Sequence, residues 1–83
     1  MELVGAAQLR AARALLGISQ GRVAELAGIS VPTVKRCEAD AVGSPKVSAE
    51  TKLKIKAALE AAGVEFIPEN GGGVGVRLKK RAG

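Results

Sequence analysis

Lys35 and Arg36 stand side by side shortly after Ser30 and Thr33, in a chain that offers little other chemistry. Histidine is absent and Cys37 is the single cysteine. This removes the commonest acid–base residue near neutral pH and the commonest metal ligand, and it rules out an internal disulfide or an all-cysteine zinc site. Gly71-Gly72-Gly73 is followed by no Gly-Lys-Ser/Thr, so it reads as a turn and not as a phosphate loop. No nucleophile–base pair can be assembled, and an enzyme or a bound cofactor is not expected. The remaining chemistry is cationic: a basic side chain binds polyanions.

Thirteen Lys and Arg against eight Asp and Glu give a net charge of +5. That balance suits nucleic acid or an anionic surface. No apolar run approaches the roughly 20 residues of a membrane span, and Met1-Glu2-Leu3-Val4-Gly5 lacks the basic start and apolar core of a signal peptide. A cytoplasmic, nucleoid-associated protein with no membrane partner is expected, and a lone thiol fits a reducing compartment. Phe66 is the only aromatic residue. Single-strand binders stack bases on aromatic rings, so duplex DNA is the better polyanion. Eighty-three residues give room for one domain, which at this size buries only about 60–65% of its unfolded surface. The Ala- and Gly-rich composition points to a GC-rich bacterial genome.

Helices must position these cations. Residues 6–16 (AAQLRAARALL) carry Leu9, Ala12, Arg13 and Leu16 on one stripe, with Arg10 off its centre and Gly17 as the stop. Ser19 caps a second helix to about residue 27, with a small apolar face of Val23, Ala24 and Ala27, before a tight turn at Gly28. Ser30 caps a third, with Pro32 tolerated in its first turn, running through Val34, Cys37 and Glu38 to near Asp40. After a loop over 41–47, Ser48 opens a fourth helix to about Ala62, with Leu53, Ile55, Ala58, Leu59 and Ala62 as its apolar surface. Val64–Ile67 and Val74–Leu78 then read as two strands around a turn at Pro68–Gly73. The fold class is mainly α: four helices over residues 1–63, then a short C-terminal β-hairpin and basic tail over 64–83.

Two short helices joined by a tight turn, the second opening on small polar residues, follow the helix-turn-helix plan. The first helix crosses the DNA backbone and holds the second in the major groove. Residues 18–40, ISQGRVAELAGISVPTVKRCEAD, resemble the helix-turn-helix of the phage lambda repressor and Cro family, also called the xenobiotic-response-element family. Ser19-Gln20, Val23-Ala24, Gly28-Ile29-Ser30, Thr33-Val34, Arg36 and Glu38 carry the likeness, and LRAARALLG (9–17) resembles the family's first helix.

The resemblance implies roles. Gln20 would bond a phosphate and a base edge, and Ser30 a phosphate. Val31, Pro32 and Thr33 would face the groove, with Lys35 and Arg36 one turn on. Arg36 is the candidate for direct readout, since its planar fork matches guanine O6 and N7. Lys35 and Lys46 are phosphate candidates. Val31 and Pro32 carry no side-chain donor, unlike the glutamine-rich recognition helices of some relatives. Arg13 and Glu38 would form an ion pair tying helix one to the end of helix three, with two solvated surface charges as the alternative. Cys37 takes an aliphatic position and reads as core, with a redox sensor beside Arg36 as the alternative.

The basic run Arg77, Lys79, Lys80, Arg81 would either grip phosphate or guard a strand edge. Lys52, Lys54 and Lys56 read as a solvated helix face. An isolated hairpin is marginal in water, so it must pack on the helices or pair with a second copy. Val64, Phe66, Val74, Val76 and Leu78 are its candidate dimerisation residues. The expected function is a sequence-specific double-stranded DNA-binding transcription regulator, repressor or activator, acting as a homodimer on a palindromic operator. The alternatives are the antitoxin of a toxin–antitoxin pair, a non-sequence-specific architectural protein, and a protein-interaction module; RNA polymerase or a toxin would be the protein partners.

Overall fold

The computed structural model describes residues 4–39 and 47–79. Four helices, α1 (Ala6–Leu16), α2 (Gln20–Ala27), α3 (Val31–Cys37) and α4 (Ala49–Ala61), precede an antiparallel hairpin of β1 (Val64–Ile67) and β2 (Gly75–Leu78). The elements lie where the sequence places them, with some ends drawn in. Helix α3 stops at Cys37, short of residue 40, and β2 starts at Gly75, not Val74.

Serines start three of the helices. Ser19, Ser30 and Ser48 hold extended backbone angles, and their hydroxyls accept the N–H of Arg22 (3.0 Å), Thr33 (3.3 Å) and Thr51 (3.2 Å). Each bond satisfies a donor that a helix N-terminus leaves unpaired. Helices α1 and α2 end alike, on Gly17 (φ 67°) and Gly28 (φ 69°), both left-handed. Only glycine adopts that angle without a Cβ penalty. Ile18 and Ile29 then turn back onto the core, their N–H groups bonded to Arg13 and Ala24 carbonyls.

The core draws on every helix and on β1: Leu9 and Ala12, Val23 and Ala24, Val34 and Cys37, Ile55 and Leu59, and Val64. Helix α2 packs on both α3 and α4, and small side chains at Ala12 and Ala24 leave room for close approach. Helix α4 contributes less than its sequence suggests. Ile55 and Leu59 are buried, whereas Leu53 and Ala62 are exposed. Ile55 and Leu59 share one face at a spacing of four, and Leu53, two residues from Ile55, projects from another side.

The hairpin lies against α1 and α4 of its own chain. Its register pairs Val64 with Leu78, Glu65 with Arg77, Phe66 with Val76 and Ile67 with Gly75. Val64 is fully buried, and Phe66 and Val76 pack on the core. Three of the five candidate dimerisation residues therefore face inward, because the hairpin covers the helices. Val74 (53% exposed) and Leu78 (51%) remain outside. On the outer face Arg77 Nη2 lies 2.9 Å from Glu65 Oε2. The hydrogen bond and charge of Arg77 hold the Glu65 carboxyl below its ordinary value, and Glu65 raises Arg77 in turn. Such a carboxylate stabilises the fold above its unfolded pKa and loses that contribution as pH falls through the lowered one. The pair is solvated, so salt screens it.

Gln8 fastens the hairpin to α1, a role that no local pattern of residues marks. This side chain is 9% exposed. Its Oε1 accepts the Gly5 N–H (3.0 Å), and its Nε2 donates to the carbonyls of Gly75 (3.1 Å) and Ile67 (3.5 Å). Gln8→Ala leaves two half-buried carbonyls and one helix-start N–H without that partner, which costs about 1–3 kcal/mol. In native-state hydrogen exchange the hairpin amides of this variant should lose protection while those of α2 and α3 keep theirs.

Candidate nucleic-acid interface

The turn between α2 and α3 is Gly28-Ile29-Ser30. It is short because Gly28 closes α2 and Ser30 at once caps α3. The Ser30 hydroxyl also meets the Thr33 hydroxyl at 2.8 Å. Beyond the cap, α3 divides by face. Val34 (0% exposed) and Cys37 (2%) point into the core. Pro32, Lys35 and Arg36 are exposed, Thr33 is half-buried, and Val31 is half-buried against the core. The outward set is therefore Pro32, Lys35 and Arg36 with Thr33 at its margin, and Val31 serves packing as much as surface. Among the described residues neither Lys35 nor Arg36 is in an ion pair. Lys46 lies outside the described residues.

A polar cluster centred on Glu38 sets the pose of α3. Glu38 is the cap residue after α3 and is 6% exposed. Arg13 on α1 donates to its carboxylate from Nε (3.0 and 3.2 Å) and Nη2 (3.1 Å). Arg13 Nη1 also reaches the Ile18 carbonyl at 3.3 Å, and Arg10 donates to the Glu38 main-chain carbonyl. The Arg13–Glu38 pair suggested by the resemblance is present and largely buried. Among the described residues no buried side-chain nitrogen or oxygen lacks a partner.

Gln20 joins this cluster, a role the sequence did not reveal. Its Nε2 donates to Glu38 Oε1 at 3.1 Å. A carboxylate only accepts, so the amide nitrogen of Gln20 must face it. The other amide hydrogen and the amide oxygen are not used by that bond. Glu38 thus links α1, α2 and the end of α3 through one carboxylate.

Cys37 lies on the core face of α3, in its last turn. Burial pushes its thiol above the ordinary value, against the opposing pull of Lys52 and Arg36. It is a free, buried cysteine, without the exposure and thiolate character that a redox sensor needs. Of the other cations, Arg77 is paired with Glu65, Lys56 lies 4.0 Å from Glu60, and Lys79 Nζ is 3.4 Å from the Glu60 carbonyl. Lys80 and Arg81 lie outside the described residues. Among the described residues no group of His, Cys, Asp or Glu could hold a metal ion, and no helix is long and apolar enough to cross a membrane.

Residues 6–65 match the family model of a helix-turn-helix domain. The chain belongs to the helix-turn-helix domain family. A helix-turn-helix is a DNA-binding unit of two short helices joined by a tight turn, and α2, Gly28-Ile29-Ser30 and α3 have that form here. The matched span also includes α1, α4, which packs on α2, and the start of β1. Comparison with curated proteins finds no match.

Proposed function

We propose that this helix-turn-helix chain is a sequence-specific, double-stranded DNA-binding transcription regulator that reads the major groove with α3. The observation that carries this reading is the exposure of Lys35 and Arg36 on a helix whose opposite face is core and whose end is fixed by Glu38. Arg36 pairs with guanine O6 and N7, and Lys35 meets phosphate. Gln20 turns its second amide hydrogen to the backbone, and the Ser30 and Thr33 hydroxyls and Lys46 add polar contacts. Pro32 and the edge of Val31 supply apolar contact with thymine methyls.

One recognition helix reads few base pairs, so the protein acts as a homodimer on a palindromic site. Val74 and Leu78, the apolar side chains the packed hairpin leaves outside, support this arrangement. Repression or activation follows from where the site lies relative to a promoter.

The test is selection of bound duplexes from a random library at two salt concentrations. A motif with two-fold symmetry is expected. Arg36→Ala should weaken binding to it by about 1–3 kcal/mol and relax preference at one position. Lys35→Ala should weaken all sequences alike and lower the salt slope by about 1. Uniform, salt-sensitive binding without a motif would instead make the protein architectural, and no binding would direct attention to a protein partner.

A further inference from the structure

Asn70 is the only asparagine in the chain, and Gly71 follows it. Both lie in the exposed turn between β1 and β2. The turn is held by side-chain bonds that act on the two atoms through which an asparagine can cyclise. The Gly71 N–H donates to Glu69 Oε2 at 3.0 Å. The Asn70 side-chain carbonyl accepts the Gly72 N–H at 3.2 Å. Glu69 Oε2 also accepts the Gly73 N–H at 2.8 Å, which keeps the carboxylate in place.

We propose that Asn70 is a site of spontaneous deamidation assisted by its own turn. The Gly71 nitrogen is the nucleophile and Asn70 Cγ the electrophile. As the N–Cγ bond forms, the Gly71 proton passes to the Glu69 carboxylate, the role of a general base. Negative charge growing on Oδ1 meets the Gly72 N–H, a small oxyanion site. Glu69 then returns the proton to Nδ2, the Cγ–Nδ2 bond breaks, and ammonia leaves a five-membered succinimide. Water opens that ring at either carbonyl. Attack at Cγ restores the α-linked chain with aspartate at position 70. Attack at the main-chain carbonyl gives the β-linked isomer, which routes the backbone through Cγ.

Glycine at position 71 matters in two ways. It puts no side chain beside the attacking nitrogen, and it holds φ at +98°, which a bulkier residue would resist. Pro68 and the neighbouring glycines also leave the turn free of side chains that could cover Asn70. The product adds one negative charge next to Glu69, and the β-linked form adds a backbone atom where the hairpin reverses. Both changes bear on the ribbon that Gln8 fastens through Gly75 and Ile67.

The experiment is incubation of the full chain at neutral pH and physiological temperature. Cation-exchange chromatography would follow acidic species, and peptide mapping would locate aspartate and its β-linked isomer. The comparison variant is Glu69→Gln, whose amide oxygen can still accept the glycine N–H groups but cannot take up a proton. Acidic species mapping to position 70, formed at least about fivefold faster in the wild type than in Glu69→Gln, are expected. Asn70→Gln should form none at that position. Equal rates in wild type and Glu69→Gln would overturn the assisted mechanism. An Asn70 that stays intact while the chain remains folded would overturn the site itself.

Discussion

Glu38→Ala should destabilise the domain by about 3–5 kcal/mol, the cost of stranding the partners of a buried ion pair. The carboxylate is 5% exposed and the Arg13 side chain 27%, so water reaches the arginine side and the lower half of that range is expected. A chain of this length has roughly 4–12 kcal/mol of stability in total. The loss would remove a large share of that margin, and at the low end of the range it would leave a large unfolded fraction near room temperature. Urea titration followed by far-ultraviolet circular dichroism measures it, since the chain has no tryptophan or tyrosine to report by fluorescence. Glu38→Gln keeps one accepting oxygen and should lose less. Arg22 and Glu25 make the contrast: their pair spans 3.6 Å with both side chains more than half exposed, and removing either should change stability by less than about 1 kcal/mol. A loss below about 1 kcal/mol for Glu38→Ala as well would mean that the carboxylate acts as a solvated surface charge. An Arg13→Ala/Glu38→Ala cycle isolates the pair, with a coupling of about 0.5–3 kcal/mol expected for groups in one network.

The cluster around Glu38 also marks where sequence reading stops. The helices were legible because their signals are local. A serine at the N-caps of α2, α3 and α4, glycines at positions 17 and 28, and apolar residues three and four apart need only a few neighbouring residues to act. The strands were legible from alternation over a few residues. The Gln8 clamp was not, because its partners lie 59 and 67 residues away and a glutamine in a helix reads as a solvated side chain. The family resemblance turns Gln20, at the start of α2, outward to DNA. Its bond to Glu38 depends on the crossing of α2 and α3, which no local spacing encodes. Leu53 is exposed and Val64 is buried within its own chain for one reason. Hydrophobicity says that a side chain gains by burial, but the packing of α4 and the hairpin decides which side chains achieve it.

Leu9→Ala should lower the melting temperature by on the order of 10–40 °C, from a loss of about 2–5 kcal/mol in a domain where each kcal/mol shifts the midpoint by about 4–8 °C. Leu9 is fully buried on the face of α1 that meets α4 and the hairpin. Truncation leaves a void that α1 cannot close without pulling on Gln8, its neighbour, and on Arg13, one turn along. The proposed recognition surface is the exposed face of α3, opposite its core residues Val34 and Cys37, so the folded variant should bind the selected duplex as the wild type does. That separation makes the duplex a probe of the defect. Ligand at a hundredfold excess over its dissociation constant stabilises the native state by about 2.7 kcal/mol. It should therefore restore most of the lost stability to Leu9→Ala, whereas the same DNA should stabilise an Arg36→Ala variant by only about 0.3–1.8 kcal/mol, because that variant binds about 1–3 kcal/mol more weakly. If Leu9→Ala lost affinity while still folded, the pose of α3 would depend on the packing of α1, and the path would run through Arg13 and Glu38.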